Sequence, residues 1–182
     1  MMGFYLNKFS FIVLILCAFQ LQAQDKWIDR NAQISFDAKV PSFEPVAAKT
    51  ESATAVFEPQ TAKIAALVFV NTFKFKVALM QEHFNESYAE SSKYPKATFE
   101  GEVLSFDDQN INGTYKIKGN LTIKNTTKSV EILAQFKQKQ NSILLTSEFE
   151  VDPEDYGFDI PKVVRYKIAK KVTINLSFVF KS

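Results

Sequence analysis

Residues 172–180 alternate between apolar and polar side chains. The apolar members share one face of an extended chain: Val172, Ile174, Leu176, Phe178 and Phe180. The residues between them form the other face, which is polar except for Val179. Successive side chains of a strand point to opposite sides, so this period of two predicts a strand with one buried and one solvated face. Such half-buried strands are typical of antiparallel sheets.

Strand-like segments recur along the chain, and turn residues separate them. The further predicted strands are residues 33–38, 50–57, 63–75, 100–106, 115–123 and 130–136. Polar residues at 107–110 predict a hairpin between the fourth and fifth of these strands. Residues 59–61 and 124–128 predict further turns. About eight short strands with close turns favour one closed antiparallel barrel or a strongly curled sheet.

Two segments have helical rather than strand-like spacing. Residues 78–88 place Leu79, Phe84 and Tyr88 at loose helical intervals. Residues 161–171 begin with a proline, which suits a helix start, and end with lysines. Those lysines either complement the helix dipole or contact an anionic head group. The predicted fold class is therefore all-β, with one or two short helices.

The first residues have the pattern of an export signal. Lys8 precedes an apolar run at residues 9–19, and Ala23 supplies a small residue at a cleavage point. We expect residues 1–23 to be a signal peptide that is removed, which leaves a single domain at residues 24–182. Lipidation at Cys17 is the alternative, although Leu16 does not suit a lipobox. The predicted location is periplasmic or secreted, with no integral membrane segment after signal removal.

Charge and cysteine content exclude several classes of protein. The formal net charge is +2, and one of these charges is Lys8. A nearly neutral domain has no electrostatic footprint for nucleic acid or for an anionic membrane. Cys17 is the one cysteine, so the mature domain has no disulfide and depends on packing. The eighteen phenylalanines supply much of its apolar area.

No residue pattern predicts catalysis, a metal or a cofactor. His83 is the only histidine, and a zinc site needs three or four Cys, His or carboxylate ligands. Asp107-Asp108 and the acidic residues at 152–155 lie among turn residues, where solvated loops are the usual environment. The chain has no strand-turn-helix nucleophile motif. We therefore predict a protein that is not an enzyme.

Four motifs follow one another between His83 and Gly157. They are His83 with Tyr88, the Lys93-Tyr94-Pro95 step before Thr98-Phe99, the run from Gly119 to Val130, and Asp155-Tyr156-Gly157. Their order resembles the YceI-like family of bacterial envelope proteins. Family members are lipocalin-like antiparallel barrels, and characterised members hold a polyisoprenoid chain in the cavity. The resemblance covers about residues 27–180.

Two stretches depart from the better-characterised branch of the family. A glycine-containing segment of that branch corresponds here to residues 46–50, which contain no glycine. The Arg-Asp pair usual before the family histidine is replaced by Met80-Gln81. Both stretches fall where a lid or mouth would lie, so the resemblance supports the fold more firmly than the identity of the ligand.

The resemblance implies a lipocalin-like barrel of about eight strands that binds a lipid or isoprenoid-type small molecule without catalysis. The residues expected to line its cavity or mouth are Phe73, Phe75, His83, Tyr94, Phe99 and Tyr156. For His83 we expect a structural hydrogen bond first and a contact with a ligand head group second.

A rival interpretation keeps the fold and removes the ligand. The same inward phenylalanines can fill a small barrel or line a hollow one, and the sequence does not distinguish the two. With a filled barrel, the protein would be an envelope interaction or structural protein that acts through its surface.

Overall fold

The computed structural model describes residues 26–38, 46–163 and 165–182. The predicted signal peptide, residues 1–23, lies outside the described residues. The strands in the described part of the chain are β1 (Trp27–Asp37), β2 (Ala47–Glu58), β3 (Lys63–Phe69), β4 (Lys74–Phe75), β5 (Lys96–Leu104), β6 (Gly113–Ile123), β7 (Thr126–Lys139), β8 (Ser142–Val151) and β9 (Val172–Lys181).

The eight longer strands close into one antiparallel barrel in the order β1-β9-β8-β7-β6-β5-β3-β2. Closure comes from β1, which pairs with both β9 and β2. The two-residue strand β4 pairs with β2 beyond the end of β3. The prediction of an all-β, lipocalin-like antiparallel barrel of about eight strands is confirmed.

The seam between β1 and β9 is irregular, and a side chain completes it. The register of β1 shifts between Ile28 and Gln33. Within that bulge, the carboxylate of Asp29 accepts a hydrogen bond from the backbone N–H of Val179 at 2.6 Å. A second oxygen of the same carboxylate accepts from the N–H of Asn31 at 2.9 Å. Backbone groups that the bulge leaves without a ladder partner are thus satisfied locally.

Helix α1 (Ala78–His83) covers one end of the barrel and continues into a π-helical turn, Phe84–Tyr88. We call these two elements, residues 78–88, the lid. The prediction of a short helix over this range is confirmed. Among the described residues, no helix is long and apolar enough to cross a membrane.

The predicted continuous strand at residues 63–75 is wrong. It ends at Phe69 and passes through a 3-10 turn, Val70–Thr72, before β4. The turn is stabilised by the N–H of Val70, which donates to the carbonyl of Pro95 at 2.9 Å. The Thr72 hydroxyl also donates to the carbonyl of Phe69 at 2.7 Å. These bonds redirect the chain toward β2.

The predicted helix at residues 161–171 is also wrong. In its place the described residues form an irregular loop with one 3-10 turn, Arg165–Lys167. The N–H of Ala169 donates to the carbonyl of Ala38 at 3.0 Å rather than to its own turn. The Arg165 guanidinium pairs with Glu154 at 2.9 Å. Tertiary contacts with β1 and with the preceding loop therefore override the local helical spacing.

The barrel end opposite the lid is filled with aromatic rings, which we call the aromatic floor. Its members are Phe57, Phe106, Tyr115, Phe136, Phe178 and Phe180. Neighbouring ring centroids lie between 5.0 and 6.0 Å apart, as in close-packed aromatic cores. Phe57, Phe136 and Phe180 are completely buried. The floor therefore supplies much of the packed core.

Candidate functional site

A cavity of about 320 Å³ lies between the lid and the middle of the barrel. Its walls come from the inner faces of β1 and β9, from the lid, and from the loop between β8 and β9. The lining is almost entirely apolar: it includes Ile34, Phe36, Phe73, Phe75, Met80, Phe84, Tyr88, Val151, Tyr156, Phe158, Ile160, Val172 and Ile174. We call this space the upper cavity.

A second, smaller cavity of about 100 Å³ lies deeper in the barrel. It shares Ile34 and Ile174 with the upper cavity, so the two spaces meet at these side chains. Its other lining residues include Ala66, Ala97, Phe99, Leu121, Phe149, Leu176 and Phe178. We call it the deep cavity. The two cavities thus lie next to each other between the lid and the aromatic floor.

Burial along β9 shows where the interior is empty. The inward side chains of Ile174 and Leu176 are only partly buried, although they point into a closed barrel. Further along the strand, Phe178 is 2% exposed and Phe180 is fully buried. The predicted inward face of this strand is confirmed, because these four residues lie in the core or line the cavities. The barrel is hollow toward the lid and filled at the floor.

Four phenylalanines form an aromatic wall in the upper cavity. Phe36 lies 5.3 Å from Phe73, 5.7 Å from Phe75 and 5.5 Å from Phe84, measured between ring centroids. Phe84 belongs to the lid and also lies 5.1 Å from Phe75. The lid is therefore attached to the barrel through the same rings that border the cavity.

Tyr156 brings a hydroxyl to this apolar lining. It ends a 3-10 turn, Pro153–Tyr156, whose first N–H group is capped by the Asp152 carboxylate at 3.0 Å. Gly157 follows with φ of 75°, a left-handed conformation that glycine adopts without strain. Tyr156 is 3% exposed, and burial raises the pKa of its phenol, with a smaller contribution from Asp155. Its hydroxyl has no hydrogen-bond partner among the described residues.

His83 lies at the end of α1, where its side chain is exposed and also lines the upper cavity. The structural hydrogen bond expected for it is not found: the imidazole has no such partner in the described part of the chain. Its position at the mouth leaves contact with a ligand head group as the remaining prediction.

Lys124 holds the lid in place. Its side chain is 8% exposed, and its ammonium donates to the carbonyl of Tyr88 at 2.9 Å and to Glu90 at 2.6 Å. The same ammonium lies 5.3 Å from the ring centroid of Phe158, which lines the upper cavity. Lys124 and Asn125 both have positive φ and form the two-residue turn between β6 and β7. We call this set of contacts the lysine latch.

The predicted site residues are distributed over several positions. Phe73, Phe75, His83 and Tyr156 line the upper cavity, and Phe99 lines the deep one. Tyr94 lines neither; its ring lies beside the ammonium groups of Lys93 and Lys124 at 4.9 and 5.5 Å.

The predicted site residues leave out two residues of the site, Phe36 and Lys124. Phe36 has a signal that could have identified it, because it alternates inward with Ile34 on the predicted first strand. Lys124 has none, because a lysine in a turn is ordinarily solvated.

The described residues that line the two cavities carry few polar groups. Within residues 26–38, 46–163 and 165–182, no cluster of three or more His, Cys, Asp or Glu side chains could hold a metal ion. No described Asp or Glu lines either cavity. Tyr156, His83 and Tyr88 are the lining residues with polar side-chain atoms in the upper cavity.

Comparison with known protein families identifies the family to which this domain belongs. The family model of the YceI-like domain matches residues 27–180, from the first residue of β1 almost to the end of β9. The chain belongs to the YceI-like family. No curated protein matches it significantly.

Solved structures share the YceI-like fold at low sequence identity. BcnA of Burkholderia cenocepacia is 16% identical, with 83% of this chain and 96% of that chain covered and a TM-score of 0.71. A polyisoprenoid binding domain from Saccharophagus degradans, implicated in plant cell wall breakdown, is 10% identical, with coverages of 86% and 98% and a TM-score of 0.70. The YceI protein of Campylobacter jejuni is 17% identical, with coverages of 72% and 80% and a TM-score of 0.59.

Proposed function

We propose that this protein binds the apolar chain of an amphiphilic small molecule, such as an isoprenoid or another lipid, and does so without catalysis. The observation that carries the proposal is the apolar upper cavity, which the lid borders and which lies next to the deep cavity. Binding sites for small molecules commonly combine such a lining with a few polar groups. Both Tyr156 and His83 line the upper cavity, and we propose that the hydroxyl and the imidazole take that role.

Two further observations support the proposal. The structural neighbour from Saccharophagus degradans is described as a polyisoprenoid binding domain. In addition, the described residues that line the cavities are almost all apolar, as a site for an apolar chain requires. With the export pattern at residues 1–23, we place this binding function in the periplasm or outside the cell.

The rival filled-barrel interpretation fits only half of the molecule. The aromatic floor is filled, but the half beneath the lid holds a cavity of about 320 Å³ lined by side chains. A cavity with this apolar lining offers packing contacts that an apolar ligand would make, which favours a binding site.

Lipid extraction tests the proposal directly. Protein purified from its native host is denatured in organic solvent, and the extract is analysed by mass spectrometry. Delipidated protein is then titrated with an apolar fluorescent probe such as N-phenyl-1-naphthylamine. A copurified amphiphile and saturable probe binding are expected; the absence of both would contradict the proposal and favour the filled-barrel protein.

A matched pair of variants locates the binding. Ile174→Phe enlarges a side chain that borders both cavities, whereas Leu133→Phe enlarges one that is 61% exposed on the outside of the barrel. Ile174→Phe should weaken probe binding about tenfold, or by about 1.4 kcal/mol, because the larger ring occupies space that the probe would fill. Leu133→Phe should leave it unchanged. Equal effects of the two variants would place the probe outside the cavities.

A further inference from the structure

We propose that the aromatic floor acts as a ruler: the site accepts a single unbranched or prenyl chain of roughly 12–16 carbons in length and leaves the rest of any longer chain outside the barrel. This inference rests on the proposed function and adds the class of ligand, a single-chain amphiphile of short to medium length. Three features of the barrel carry it.

The first feature is depth. The inward residues of β9 run from Val172 at the upper cavity through Ile174 and Leu176 to Phe178 at the floor, a distance of six residues. At about 3.3 Å per residue this is ~20 Å of strand. A strand tilt of about 40° reduces it to roughly 15 Å along the barrel axis.

An extended chain advances about 1.2 Å per bond, because an extended residue with three backbone bonds spans about 3.5 Å. An axial depth of roughly 15 Å therefore accommodates about twelve bonds. The space beneath the lid, between Phe84 and Tyr156, adds room for a few more.

The second feature is the tightness of the floor. The ring centroid of Phe178, which borders the deep cavity, lies 6.0 Å from that of Phe180. Phe180 in turn lies 5.7 Å from Phe57, and Phe57 lies 5.5 Å from Phe136. The last three rings are fully buried, so a chain that reaches Phe178 meets close-packed atoms and no passage.

The loop at residues 105–112 also closes the far side of the floor. The hydroxyl of Tyr115 donates to the carbonyl of Asn110 at 2.9 Å, and Ile111 is buried in the core cluster. A ligand chain could pass the floor only by displacing several packed rings together with this loop.

The third feature is width. An eight-stranded barrel has an interior just wide enough for its own side chains or for one small ligand. The deep cavity also has a smaller volume, about 100 Å³, than the upper one, about 320 Å³. One chain therefore enters, which excludes a phospholipid with both acyl chains inside.

A chain-length series tests this ruler. Unbranched fatty acids from eight to twenty carbons, kept below their aggregation limits, compete with N-phenyl-1-naphthylamine for delipidated protein. Each added methylene should strengthen binding about fourfold, the factor that corresponds to about 0.8 kcal/mol per buried methylene. The gain should stop between about twelve and sixteen carbons, where the chain reaches the floor.

Variants at two adjacent alanines test where the gain in affinity stops. We call the chain length at which it stops the break. Ala66→Leu fills part of the deep cavity and should shift the break to chains about two carbons shorter. Its control is Ala65→Leu, on the outer face of the same strand, which should not move it. Phe178→Leu lowers the floor and should shift the break to longer chains.

The possible results separate this inference from the proposed function. If no fatty acid displaces the probe and no probe binds, the proposed function itself fails. If binding occurs but affinity keeps rising to twenty carbons, or if Ala66→Leu behaves like Ala65→Leu, the ruler is wrong and the binding function stands. Should Phe178→Leu fail to fold, the two alanine variants alone decide the question.

Discussion

The ring of Phe99 lies directly over Gly119 on the neighbouring strand. A Cβ atom placed on Gly119 would come within 2.6 Å of the ring atom Cζ of Phe99. Gly119 is paired in register with Gly101, where a Cβ would lie 2.8 Å from the same atom. The two glycines thus give Phe99 the space in which it borders the deep cavity.

Gly119→Ala should therefore destabilise the barrel strongly. Its Cβ would also lie 2.4 Å from the carbonyl oxygen of Glu100 and 2.7 Å from the Cα of Gly101, and backbone atoms cannot yield as a flexible side chain can. We expect a loss of about 2–3 kcal/mol in the free energy of unfolding, measured by denaturant titration. Gly113→Ala is the control, because its nearest neighbour would be the Tyr115 ring at 3.4 Å. Equal costs at the two positions would contradict this account.

Phe99→Ala should cost less stability than Phe136→Ala. Phe136 is fully buried in the aromatic floor, and its truncation should cost about 3–5 kcal/mol because it opens a cavity in packed core. Phe99 is only partly buried and already borders empty space. Chemical denaturation of delipidated protein measures the stability of both variants. In the probe titration, Phe99→Ala should lose more probe affinity than Phe136→Ala. A larger stability loss for Phe99→Ala would indicate a filled site around its ring.

Tyr156→Phe should separate ligand binding from stability. The hydroxyl has no partner among the described residues, so its removal should change the free energy of unfolding by less than about 0.5 kcal/mol. Fatty acids and prenyl alcohols should bind about fivefold more weakly, the factor for about 1 kcal/mol from one hydrogen bond. The apolar probe should bind as before. A parallel loss of stability and of probe binding would instead indicate a packing role.

Lys124→Met should release the lid without emptying the site. The methionine keeps an apolar side chain but loses the hydrogen bonds to Tyr88 and Glu90. We expect the probe to dissociate about fivefold faster in stopped-flow measurements, corresponding to about 1 kcal/mol of lost hydrogen bonding. Lys128→Met is the control, since its contact with Asp155 at 3.3 Å is exposed on both sides. If the probe dissociated from both variants at comparable rates, the lysine latch would not hold the lid.

Acid should weaken the same latch. The hydrogen bond from Lys124 lowers the pKa of Glu90 below its ordinary value of 4.5, and the positive charges of Lys124 and Lys93 act in the same direction. For a lowered carboxyl pKa, the stabilisation is fully present above the unfolded-state pKa and is lost as the pH falls through the folded-state pKa. Probe dissociation should therefore be constant above about pH 5 and accelerate below it.

Glu90→Gln is the control for this pH dependence. The pKa of Glu58 is also lowered, by its hydrogen bond from Lys26, so the overall stability should still fall in acid. The probe should dissociate fast from Glu90→Gln already at neutral pH. Its dissociation rate should then change little as the pH falls into the acid range. If the variant kept the full acid acceleration of the unmutated protein, another group would control the lid.

The parts of this structure that were predictable are those with a local cause. The pleat of a strand forces side chains to alternate, so the inward face of β9 follows from its sequence. The turn between β6 and β7 was predicted from its polar residues, and the short helix from residue 78 from its spacing. The irregular loop at residues 161–171 was not predictable, because Ala38 and Glu154 bind it from elsewhere in the chain.

The site itself was predictable only in outline. Phe99 and Phe136 look alike in sequence, yet one borders a cavity and the other is sealed in the floor. What separates them is the three-dimensional packing of the floor, whose rings come from four strands and a loop. Lys124 reaches Glu90 across 34 residues, a contact that leaves no trace in local composition.

The seam at Asp29 and Val179 joins residues that are 150 positions apart. Since β9 follows the other barrel strands in the chain, β1 and β8 each keep one unpaired edge until β9 has emerged. Loop closure over such a distance makes folding slow, and open strand edges invite pairing with other chains. A chain that stops before β9 should therefore aggregate rather than fold. The order of synthesis makes closure of the barrel by β9 the final step of folding.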